Sequence, residues 1–190
     1  MPQAIHITGD ASADEVLTDS PFALLVGMML DQQYPMEHAF RGPAKVLERF
    51  GSIEPAAIAA ADPEEFVALC SVTPAIHRFP GSMAARLQEL ARIVVDQYDG
   101  HTERLWTEAS TGKELLARVM ALPGFGKQKA QIFVALLAKQ LDVRPEGWQD
   151  VVGGYAEDGY RSVADVVDAE SLQKVRDFKK AKKAAAKATD

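Results

Sequence analysis

The chain has 190 residues, 47% of them hydrophobic and 25% charged, and a net charge of −6, which is the make-up of a globular domain and excludes a disordered or fibrous protein. The longest apolar stretch, residues 22–30, is far shorter than a membrane span, so no membrane partner is expected. The single cysteine, Cys70, excludes an internal disulfide and a cysteine-held iron–sulfur cluster, and His6, His38, His77 and His101 lie too far apart in the chain to suggest a metal site.

In chain order the segments read as helices. Met1-Pro2-Gln3-Ala4-Ile5-His6 has neither a basic region nor an apolar signal core, which points to the cytoplasm, or to the nucleoid of a bacterium. Ser20-Pro21 is a helix start, with Ser as cap and Pro at the first helical position. Residues 22–30 behind it are apolar on every side and predict a central, buried helix. Residues 36–50 repeat apolar side chains at helical spacing, through Ala39, Phe40, Val46 and Leu47, and Gly51 closes them. Two short helices are expected over 55–61 and 62–69, the second opened by Asp62-Pro63-Glu64-Glu65. Cys70 follows an apolar run and reads as a buried thiol.

Residues 82–98 form an amphipathic helix with Met83, Leu87, Leu90, Ala91 and Val94 on one stripe. A short piece over 102–108, a helix over 112–121 and a longer one over 126–141 follow. Residues 142–159 hold Pro145 and several glycines and read as irregular. Two more helices are expected from 162 onward, the last fraying into Lys/Ala repeats. With no alternating strand pattern, the class is all-α.

Charge is unevenly spread. The last twenty residues carry seven Lys or Arg against two Asp, a net of +5, which leaves −11 on the rest. The tail reads as a solvated helix end that adds at most non-specific attraction to a polyanion.

Ala121-Leu122-Pro123-Gly124-Phe125-Gly126-Lys127-Gln128-Lys129-Ala130 joins two apolar-periodic helices by a very short turn. Gly124 and Gly126 permit positive φ or close approach to the backbone. Amides at the start of the next helix can then face a phosphate, with the helix dipole favouring the anion. Lys127 and Lys129 stand in the first turn, where cations oppose the dipole, so they imply an anionic partner. Leu122 and Phe125 are expected to pack the two helices together. A ligand-free helix–helix turn is the plain alternative.

This hairpin resembles that of the helix-hairpin-helix/Gly-Pro-Asp (HhH-GPD) superfamily of base-excision DNA repair glycosylases. Leu25-Val26-Gly27-Met28-Met29-Leu30-Asp31-Gln32-Gln33 resembles the same family's buried helix and the Gln-bearing turn after it. The resemblance implies a two-lobed helical DNA-glycosylase-like fold, here a divergent member without an iron–sulfur cluster. Residues 20–142 would form the HhH-GPD-like lobe with the hairpin at 121–130, and residues 1–19 with 143–190 a second lobe with the basic tail. The implied partner is double-stranded DNA, bound by a monomer. Leu122, Gly124, Phe125, Gly126, Lys127 and Lys129 would hold its backbone. Gln33, with Gln32 and Tyr34 beside it, would fill the gap left by an everted nucleotide. Carbonyls of Leu122, Gly124 and Gly126 would hold a structural Na⁺ or K⁺, and no other cofactor is expected.

Two positions depart from the family pattern. The Schiff-base lysine of bifunctional members is replaced by Gln128, and an amide cannot attack C1′ as an amine does. Lys129 is one residue further, about 100° around the helix, and is expected to face elsewhere, so a monofunctional hydrolase without lyase activity is implied. The family's aspartate after the hairpin's second helix is also missing. Glu146 lies nearest its place and Asp150 slightly later; either would be the catalytic acid, or both are ordinary loop and cap residues. Trp148 would stack on an extruded base or anchor the loop. Three readings remain at this stage: a glycosylase, a lesion-binding protein without chemistry on the same scaffold, and a hairpin used for protein contacts.

Overall fold

A computed structural model describes residues 3–188. Eleven α-helices run along these residues: α1 Ala11–Asp19, α2 Pro21–Leu30, α3 Met36–Phe50, α4 Pro55–Ala60, α5 Pro63–Ser71, α6 Pro80–Tyr98, α7 Arg104–Thr107, α8 Gly112–Met120, α9 Lys127–Leu141, α10 Trp148–Val152 and α11 Ala169–Ala188. Short 3₁₀ turns at Gly153–Ala156 and Val163–Asp165 link the last of them. No strand occurs among the described residues, so the all-α class holds.

Side-chain caps explain the main helix starts. Ser20 accepts the Ala23 amide at 3.0 Å, Asp62 accepts that of Glu65 and Thr111 that of Glu114, each worth about 1 kcal/mol. Helix α2 is buried from Phe22 to Leu30, as its unbroken apolar sequence requires. It lies against α3 so closely that a Cβ on Gly27 would overlap the Phe40 ring. Helices α4 and α5 pack on α6, while α8, α10 and the 3₁₀ turns pack on α9. One continuous apolar cluster runs from Ile5 to Val175 through both groups. The stretch after Ile5 meets the start of α11 across a cleft between His6, Asp14, Val167 and Leu172.

The structure adds a helix, α1, ahead of the first one the sequence signals, has a 3₁₀ turn and one α-helix where two helices are expected from 162 onward, and departs from expectation in two further places. Residues 142–159, expected to be irregular, contain α10 and a 3₁₀ turn, which Gly147 opens at φ +76°. The basic tail is regular helix as far as Ala188 instead of fraying. Val175 and Ser171 bury its first turns, and Arg176 pairs with Glu37 of α3 at 3.2 Å, so α11 is held where an isolated Lys/Ala helix would melt. No helix among the described residues is long and apolar enough to cross a membrane.

Candidate nucleic-acid interface

Helices α8 and α9 form the hairpin. Gly124 takes φ +82°, and a Cβ there would stand 3.0 Å from Cδ of Arg86 and 3.3 Å from Cγ of Met29. Gly126 is different: its φ is an ordinary −76° and nothing among the described residues lies within 4 Å of where its Cβ would be. No packing or backbone reason demands glycine at 126, and its bare face opens outward. Helix α9 has no side-chain cap, its first internal bond being Ala130 N–H to Gly126 C=O. The amides of its first turn are therefore available to an external acceptor. Leu122 and Phe125 are buried as expected, and Phe125 packs edge-on against Phe133 of α9.

The turn after α2 sits beside the hairpin. Gln32 is fixed: its carbonyl accepts from His77 Nε2 at 2.9 Å and its side-chain oxygen accepts from Arg86 at 3.2 Å. The Phe79 amide donates to His77 Nδ1, so the ring proton lies on Nε2, and burial lowers the His77 pKa. His77 stacks on Tyr34 with ring centroids 4.8 Å apart. Gln33, by contrast, is exposed, stands on left-handed backbone at φ +52°, and has no hydrogen-bond partner among the described residues.

Between this turn and the hairpin lies a cavity of about 840 Å³, within the size range of small-molecule pockets. Asp31, Gln32, Gln33 and Tyr34 form one side, and Gly124, Gly126, Lys127, Gln128 and Lys129 another. Tyr155 from the 3₁₀ turn and Phe178, Lys179, Lys182 and Lys183 from α11 close it. Gln128 donates to the Tyr155 hydroxyl at 2.9 Å, and the Lys182 ammonium lies 5.8 Å from the centre of that ring. In a chain of net charge −6 the cavity is lined by Lys127, Lys129, Arg161, Lys179, Lys182 and Lys183, with Asp31 the one carboxylate among the described lining residues.

Lys129 does not face elsewhere. Its neighbour Gln128 and Lys129 itself both border the cavity, because the groove is wide enough to span the 100° between them. Its ammonium donates to the Met29 carbonyl at 2.6 Å and lies 5.6 Å from the Phe125 ring centre. Burial pushes it down to about 8, with Asp31 opposing that shift and Arg86 adding to it. Asp31 is half-buried, with no hydrogen bond or ion pair on its carboxylate among the described residues. Burial raises its pKa, Lys179 and Lys129 hold it down in part, and Glu37 adds to the rise.

Glu146, Asp150 and Trp148 are not among the lining residues. Glu146 is exposed and its carbonyl accepts the Gly112 amide at 2.8 Å, tying it to the start of α8. Asp150 is exposed on α10. Trp148 is buried, its backbone so close to Gly112 that a Cβ there would clash; its observed place is the anchoring one. The aromatic rings that reach the cavity are Tyr34, Tyr155 and Phe178. Local sequence signals no site role for Asp31, Arg86 or Tyr155, and for the α11 lysines only a non-specific attraction to a polyanion. One signal was present: a carboxylate at the C-terminal end of α2 opposes the helix dipole, as the lysines at the start of α9 do.

The model of the HhH-GPD superfamily base excision DNA repair protein matches residues 26–189, a span that holds the turn, the hairpin and α11. No curated protein and no solved structure matches the chain.

Proposed function

The chain belongs to the HhH-GPD superfamily of base excision DNA repair proteins, and from that premise we propose that it is a monofunctional DNA glycosylase acting as a monomer on duplex DNA. The observation that carries this reading is the single cavity shared by the glutamine turn and the hairpin. The hairpin takes a phosphate on the free amides of α9, beside the bare face of Gly126. Gln33, unbonded at the cavity mouth, enters the space left by the everted nucleotide, and the cavity receives that nucleotide. Six cations lining the cavity offset the acidic body where the backbone would run.

The hairpin carbonyls suit a structural Na⁺ or K⁺. Leu122 C=O accepts Phe125 N–H and Gly126 C=O accepts Ala130 N–H, which leaves each a second lone pair, with Gly124 beside them. Gln128 in place of an amine, and an ammonium on Lys129 already bonded to Met29, support hydrolysis without strand cleavage.

The test is incubation with duplexes carrying alkylated, oxidised or deaminated bases, followed by detection of the free base and by borohydride treatment. Base release with no covalent trap is expected. A second reading, lesion binding without chemistry, is favoured by the exposed positions of Glu146 and Asp150 outside the cavity; lesion-dependent binding without release would establish it. Absence of duplex binding at low salt would defeat both.

A further inference from the structure

We propose that Asp31 is the carboxylate that faces C1′ of the everted nucleotide and stabilises the positive charge that develops there, with Lys129 as its positioning residue. This inference rests on the reading of the cavity as a nucleotide pocket.

Three observations converge on Asp31. It is the one carboxylate among the described residues that line the cavity. It is the C-terminal cap residue of α2, a helix buried along its whole apolar run, so its position is set by the most rigid element of the fold. Its oxygens have no hydrogen bond or ion pair among the described residues although cations line the cavity with it, and an unpaired carboxylate in a partly desolvated cavity is costly unless a ligand uses it. The other nearby acid, Glu37, is buried and already paired with Arg176, and it does not line the cavity.

The chemistry matches the placement. When the N-glycosidic bond breaks, its electron pair leaves with the base and the sugar becomes an oxocarbenium-like cation at C1′ and O4′. A carboxylate fixed in low dielectric lowers the energy of that charge. Water then bonds to C1′ and passes a proton to Asp31, which returns it to solvent, while the departing base takes up a proton. The sum is one water consumed, one free base and one sugar hydroxyl. Burial raises the Asp31 pKa and Glu37 of α3 adds to the rise, while Lys179 of α11 and Lys129 of α9, the latter held over the end of α2 by the Met29 carbonyl, oppose it and favour the carboxylate form. Arg86 of α6 and His77 complete the charged and titratable surroundings of Lys129.

The test needs no knowledge of the lesion. Affinity is measured for two duplexes, one with a neutral tetrahydrofuran abasic analogue and one with a pyrrolidine analogue whose protonated ring nitrogen imitates the sugar cation. The wild-type protein should prefer the cationic analogue by about tenfold or more, the size of one charge-assisted contact. Asp31→Asn, and Asp31→Ser as a second variant, should erase the preference while the tetrahydrofuran duplex still binds, which also shows that the variant is folded. Lys129→Met should raise the pH below which the preference disappears, and Lys129→Arg should return it. Equal binding of both analogues by the wild type, or a preference that survives in both Asp31 variants, would overturn the proposal. So would a preference removed by Glu146→Gln or Asp150→Asn. Failure to bind either analogue or plain duplex would instead defeat the functional reading on which it rests.

Discussion

The ammonium of Lys129 donates a 2.6 Å hydrogen bond to the carbonyl of Met29, one hundred residues earlier in the chain. That bond joins the hairpin to the end of α2, so the phosphate site and the glutamine turn are held in one frame. It also supplies a cation to the C-terminal end of a helix, where the dipole favours one.

Lys129→Met should lower stability by about 1–3 kcal/mol, the cost of leaving a buried acceptor without its donor. The difference should depend on pH. Lys129 falls to about 8 in the folded state from an ordinary 10.5, so the folded chain binds fewer protons than the unfolded one between those values. Wild-type stability should therefore rise relative to Lys129→Met as pH increases through that window. Urea unfolding of both proteins at pH 7 and pH 10 checks this; a difference independent of pH would contradict the buried ammonium.

Gly124 and Gly126 should respond differently to alanine. Gly124→Ala meets a φ of +82° and the Arg86 side chain, and should destabilise the fold by about 1 kcal/mol or more. Gly126→Ala meets neither strain nor contact, so its melting temperature should match the wild type. Its affinity for duplex DNA should nonetheless fall, equally for damaged and undamaged strands, because a phosphate contact carries no sequence information. Thermal melts and binding isotherms measure both.

Helix α11 is exposed on all sides beyond Val175, so Lys182→Ala with Lys183→Ala should leave stability unchanged. If both lysines meet phosphates, the slope of log affinity against log salt should become shallower by about 2. An unchanged slope would return the helix to a merely solvated role.

Gln33→Ala should weaken binding to a duplex with an abasic analogue and spare binding to an intact one, since the amide acts only where a base is missing from the stack. Gln32→Ala should behave differently, because Gln32 is held by Arg86; its loss should loosen the turn and affect both duplexes. Fluorescence of a 2-aminopurine opposite the lesion reports the insertion directly.

The sequence by itself determined the local structure. Caps at Ser20 and Asp62, the all-apolar run of α2, and the Gly-x-Gly turn before Lys127 depend on neighbours a few residues away, so they are legible in order along the chain. The same local strings carry the resemblance to the family. What only the tertiary structure decided is which side chains share the cavity. Asp31, Lys129 and Lys182 are far apart in the chain and meet because α2, α9 and α11 converge. Counting residues from the hairpin pointed instead to Glu146. Helix α9 has 15 residues and is about 22 Å long at 1.5 Å per residue. The loop that follows is pinned to the start of α8 by the Gly112–Glu146 hydrogen bond, at the end of α9 remote from the cavity. Lys129 reaches the cavity for a related reason: helical spacing gives an angle, and only the width of the groove says how many angles face it.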